Sequence, residues 1–111
     1  MPYGTTIKVK DRIGLQRDDM KQDGSIVNAL AWADARIDMR LAVFGLAVSS
    51  TVPPGIVEAS SDFAAYYILR NTNPDKATRY MDDGDNALDI YIRSMHVESI
   101  SIRTGVSDDP I

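Results

Sequence analysis

The amino-acid sequence predicts a mainly α fold: a compact bundle of about four helices with a long central helix, plus a short C-terminal strand or extended tail. Three observations predict it. Between Ser25 and Val48 apolar residues recur at steps of three and four. After Pro53-Pro54 a run of small residues and aromatics continues to Arg70 without a break. Alternation with a period of two is confined to the short pairs Ile7/Val9 and Ile100/Ile102. Steps of three and four put side chains on one face of a helix, whereas a half-buried strand needs strict alternation. The chain accordingly divides into a helical domain over residues 1–96 and a tail over 97–111.

The first element is IKVKDRIGL, with Thr5 or Thr6 as its cap, Ile7, Val9, Ile13 and Leu15 as its apolar set and Gly14 as its stop. The Ile7/Val9 alternation fits a brief strand as well. A polar loop, QRDDMKQDG, follows. Asp23 or Ser25 then caps the long helix, whose inner stripe is Ile26, Leu30, Ala33, Ile37, Leu41, Phe44 and Val48. Asp34, Arg36, Asp38 and Arg40 lie off that stripe, on wet or interfacial positions, and so does Trp32, which either fills the core or faces a neighbouring subunit.

Ser49-Ser50-Thr51 with Pro53-Pro54 breaks the chain, because proline suits a helix's first turn and disfavours helix just before it. The third helix spans Pro54 to Arg70. Ile56, Phe63 and Tyr67 form its face, and Ala59, Ser60 and Ala64 are small enough for a close neighbour. Asn71-Thr72-Asn73-Pro74 ends it. A fourth helix, Asp75 to about His96, carries Ala77, Met81, Leu88, Tyr91, Ile92 and Met95. Gly84 weakens it by about 1 kcal/mol relative to alanine, enough to divide it into two pieces. In the tail, Ile100 and Ile102 alternate with Ser99, Ser101 and Arg103, which suggests one strand in need of a partner: the Ile7–Val9 segment or another subunit. The expected core is Ile26, Leu30, Ile37, Leu41, Ile56, Phe63, Tyr67, Leu88 and Ile92.

At 111 residues the chain makes one domain with a sizeable core. It has no cysteine, which removes disulfides and thiolate metal sites. The net charge of −4 and a pI near 4.7 argue against a nucleic-acid-binding surface. No apolar run approaches the roughly 18 residues of a membrane helix, and MPYGTTIKVKDR lacks the apolar core of a secretory signal, so the expectation is a soluble cytoplasmic product without membrane contact.

The patterns that carry chemistry are missing from this sequence. The single histidine, His96, sits at the expected end of a helix, where a cation is favourable. From Asp19, DMKQDGSIVNAL imitates a calcium loop at its first, fifth and sixth positions. It fails at Lys21 and at Leu30, where a bidentate Glu is required. Asp82, Asp83 and Asp85 concentrate carboxylates without a ligand frame. No serine lies in G-x-S-x-G, and the glycines form no phosphate-binding loop. The expectation is a protein with no catalytic residue, no metal and no cofactor.

The order of elements nonetheless resembles a known family. "IKVKDRIGLQRDD" with Asp18-Asp19, then a long helix, then "PPGIVEASSDFAAYYI" after a proline, then a last helix and tail, is similar to the head–tail connector (portal adaptor, or head completion) proteins of tailed double-stranded DNA viruses. The likeness covers residues 5–96 and consists of element lengths and residue types. The DDGDN run has no counterpart in it.

The resemblance implies a structural virion protein at the neck, assembled in the host cytoplasm. Copies of it form a ring, commonly twelve-fold, below the portal protein. The ring extends the channel through which duplex DNA passes and docks a stopper or tail protein. The tail would then bind partners through Val97, Ile100, Ile102, Arg103 and Ile111, and Asp82, Asp83 and Asp85 would face the channel and repel phosphates. Two other readings compete: a small helical regulator with one apolar groove for a single protein partner, and an acidic-surface enzyme. A ring adaptor is adhesive on two sides and a regulator on one.

Overall fold

A computed structural model describes the backbone over residues 2–104 and the side chains over residues 2–95. The described chain is four helices: α1 (Thr6–Ile13), α2 (Asp23–Val43), α3 (Pro54–Leu69) and α4 (Pro74–Thr104).

α1 begins where Thr5 Oγ1 accepts the Lys8 N–H at 3.1 Å. It ends because Gly14 takes a left-handed conformation, φ 82°, while the Leu15 N–H returns to the Lys10 carbonyl at 2.9 Å. Ile7/Val9 is therefore helix: Val9 is fully buried and Ile7 half exposed. α2 starts one turn earlier than its stripe. Gln22 holds the cap position without a side-chain bond, and Asp23, expected as a cap, is the first helical residue. Its carboxylate meets the buried Lys10 ammonium at 2.9 Å, which ties α1 to the positive end of α2.

α2 ends at Val43, short of the expected Val48. Gly45 at φ 70° reverses the chain, with Leu46 N–H on the Leu41 carbonyl and Gly45 N–H on the Ala42 carbonyl. Phe44, expected on the inner stripe, is consequently 51% exposed, whereas Leu46 and Val48 fold back to pack against the core. α3 has proline at its first position, as expected, and is followed by the tight Asn71–Asn73 turn. The same Asn73 starts α4: its Oδ1 accepts the Lys76 N–H and its carbonyl accepts the Ala77 N–H. α3 and α4 are thereby antiparallel neighbours.

The centre of the bundle is α3. α1, α2 and α4 all pack on it, α4 most extensively. Its burial is nearly all-round, from Ala59 through Ala65, which is why small residues fill it: Ala59, Ser60, Ser61, Ala64 and Ala65 let three helices approach one axis. Eight of the nine expected core residues are buried. The exception is Tyr67, which only borders the core.

α4 runs unbroken through Gly84. A β-carbon at this position would lie 2.7 Å from Cδ1 and Cε1 of Phe63. Gly84 is thus the notch that receives the central aromatic ring, and the packing gained across α3–α4 outweighs about 1 kcal/mol of helix propensity.

The backbone from Val97 to Thr104 continues α4, so the expected tail strand is not formed. Extending an existing helix needs no new nucleus, whereas a strand needs an edge to pair with, and α1, the intramolecular candidate, is itself helical. Of the tail residues named above, Val97, Ile100, Ile102 and Arg103 lie on this stretch of backbone with side chains outside the described residues; Ile111 lies outside entirely. Among the described residues no helix is long and apolar enough to cross a membrane.

Candidate interaction surface

Two polar assemblies hold the bundle. The first clasps the N-terminal segment to α2 and α3. Tyr3 donates its N–H to Asp34 Oδ2 at 3.0 Å and its hydroxyl to Asp38 Oδ1 at 2.6 Å. Ser60 Oγ donates to Asp34 Oδ1 at 2.8 Å and accepts the Gly4 N–H at 3.0 Å. The Asp38 bond pushes the Tyr3 phenol up to about 12. Burial raises the Asp34 carboxyl above its ordinary 3.8, against the opposing pull of its bonds from Ser60 and Tyr3. The carboxylates placed off the stripe are thus structural here.

A pH dependence follows. A carboxyl whose folded pKa lies above its unfolded value contributes stability at low pH and loses it as pH rises through the folded pKa. In urea titrations the wild type should therefore gain on Asp34→Asn as pH falls from neutrality toward the aspartate range, above 3.8. A difference that stays flat over that window would show that Asp34 keeps its ordinary pKa.

The second assembly centres on Arg12 of α1. Its Nε meets Asp62 at 2.6 Å, its Nη1 donates to the Lys8 carbonyl, and its Nη2 pairs with Glu58. Burial pushes the Asp62 carboxyl up, whereas Glu58, hydrogen-bonded to Lys8 and Arg12 at a more open site, is held below the usual range. The Tyr80 hydroxyl donates to the Arg12 carbonyl at 2.8 Å, adding α4 to the knot.

The surface that these assemblies leave open lies along α2. Trp32, Ala35, Met39 and Val43 are spaced three, four and four, a second apolar stripe. At 100° per residue it sits roughly 150° around the helix from the core stripe. Met39 is 72% exposed and Val43 77%. Trp32 is half-buried against Tyr67, ring centroids 5.1 Å apart, and Tyr66, at 5.8 Å. Trp32 therefore both closes the core and begins the exposed stripe.

Beside the stripe runs a groove of about 490 Å³, walled by Trp32, Ala35, Arg36, Met39 and Arg40 of α2 and by Leu88 of α4. Further along the same two helices, beyond the Arg40–Asp89 pair, lies a separate smaller hollow of about 240 Å³ between Phe44 and Asp89, Ile92 and Arg93. Both helices rest on α3, and the gap between them is bridged by Arg36–Asp85 at 3.1 Å and Arg40–Asp89. The Arg36 guanidinium also stacks 5.0 Å over Phe63. An open trough with an apolar wall, whose arginines are paired with carboxylates of α4, suits a partner helix rather than a small polar substrate.

The three acidic candidates separate. Asp82 and Asp83 are exposed, while Asp85 is half-buried and engaged by Arg36. Among the described residues no group of three or more His, Cys, Asp or Glu is placed to hold a metal ion. Comparison of the chain with family models, curated proteins and solved structures returns no match. The exposed stripe was missed at the level of sequence although its spacing is visible there, because the longer core stripe of the same helix accounted for its apolar content.

Proposed function

We propose that this chain is a non-catalytic assembly protein of the head–tail connector kind. Copies of it form a ring below a portal, lengthen the DNA channel and offer a docking surface to a stopper or tail protein at the virion neck. The observation that carries this reading is the second apolar face of α2 with its groove, which an isolated copy leaves in water. Exposed contiguous apolar surface of this kind marks a protein–protein contact. The order of helices and the proline start of α3 keep the element order on which the connector resemblance rests. The net charge of −4 and the exposed Asp82 and Asp83 suit a wall past which a duplex slides without being held. The segment with Val97, Ile100, Ile102, Arg103 and Ile111 serves contacts between chains, with no cofactor or metal involved.

Native mass spectrometry tests the reading, with the chain mixed with rings of the portal protein encoded alongside it. The expected result is many copies per portal ring, in a number set by the ring's symmetry. No binding would overturn the proposal. One copy per single partner protein would put the regulator reading in its place.

A further inference from the structure

We propose that the part of α4 beyond the bundle, Ser94–Thr104, seats in the α2–α4 groove of a second copy of this chain. The inference deepens the assembly reading above and rests on it.

Two independent registers locate the end of the bundle. Arg36 pairs with Asp85, and one turn later Arg40 pairs with Asp89, so α2 and α4 run parallel and Phe44 comes level with Arg93, as the hollow between them shows. On the other side α3 is antiparallel to α4, with Phe63 seated at Gly84, which brings Pro54, the first residue of α3, level with Arg93 as well. Past this level α2 and α3 have both ended, and α4 continues to Thr104.

That continuation is roughly 16 Å long at 1.5 Å per residue, and the stretch of α2 from Trp32 to Phe44, which walls first the groove and then the smaller hollow, is about 18 Å. Length therefore matches length. Chemistry matches too: Val97 and Ile100, spaced three apart on this helix, share one face, and the groove offers Trp32, Ala35, Met39 and Leu88. The segment cannot reach its own groove, because α4 is one uninterrupted helix from Pro74 to Thr104 and the groove lies behind its point of exit. The occupant of each groove is thus the α4 end of another copy, an interaction that uses two different surfaces of the chain.

The chain has no cysteine, so introduced ones report cleanly. Two full-length variants, Met39→Cys and Ile100→Cys, one of them isotope-labelled, are mixed and oxidised. Mass spectrometry should find the mixed disulfide as the main cross-linked product. Adding Ala35→Glu to the Met39→Cys chain should reduce it by roughly tenfold, as a charge enters the apolar wall. The proposal is overturned if the mixed disulfide is no more abundant than with Asp18→Cys, an exposed control in the α1–α2 loop. It is equally overturned if one chain carrying both cysteines closes on itself. Portal rings separate the two ideas. Portal binding without the mixed disulfide keeps the assembly reading and removes this contact; the mixed disulfide in a chain that ignores portal rings does the reverse.

Discussion

Phe63→Ala lowers the unfolding free energy by about 3–5 kcal/mol in urea titration. Phe63 is the largest fully buried side chain, at the middle of the helix on which the other three pack. Its ring fills the notch at Gly84 and carries the Arg36 guanidinium on its face. Truncation removes transfer energy and leaves a cavity that three helices cannot collapse together. The notch supplies an internal check. Gly84→Ala should destabilise, although alanine is the better helix former by about 1 kcal/mol, because its β-carbon would need the ring to move. Combined with Phe63→Ala the same substitution should turn neutral or favourable, a coupling of roughly 0.5–3 kcal/mol between touching residues. Additive single effects would show that the helix, and not the ring, determines the glycine.

Arg12→Ala costs about 3 kcal/mol, the second largest effect, because it leaves Asp62 without its countercharge in a site where that side chain is only 11% exposed. Arg12→Lys recovers little, since a single ammonium cannot span Asp62, Glu58 and the Lys8 carbonyl from one planar fork. Lys8→Ala, which removes a partner of the same Glu58, should cost less than about 1 kcal/mol, because that pair is over 40% exposed on both sides. The deficit of Arg12→Ala should narrow on acidification. Asp62 already has a raised pKa, loss of Arg12 raises it further, and protonation then relieves the unpaired charge. A deficit unchanged between neutrality and the carboxylate range would mean that water enters and solvates Asp62.

Local chemistry by itself determined most of the helical plan. Thr5 and Gly14 bound α1 through a hydroxyl acceptor and a left-handed residue, and Pro54 and Asn73-Pro74 start α3 and α4, all from properties of single residues. The core stripe of α2 and the small residues of α3 follow from periodicity, which survives any tertiary arrangement that buries one face. Those signals also made the chain read as a helical bundle of cysteine-free composition.

Tertiary structure decided the rest. Gly84 reads as a weak point in isolation and is a site of close contact only because Phe63, twenty-one residues earlier, arrives opposite it. α3 became the centre because three partners chose it, which no single helix's pattern encodes. Trp32, Ala35, Met39 and Val43 carry the same spacing as a buried face, yet remain open because α2 and α4 both rest on α3 and not on each other. The Ile100/Ile102 alternation lost to helix because a strand's backbone groups must be satisfied by a partner, whereas α4 satisfies each new turn from the one before.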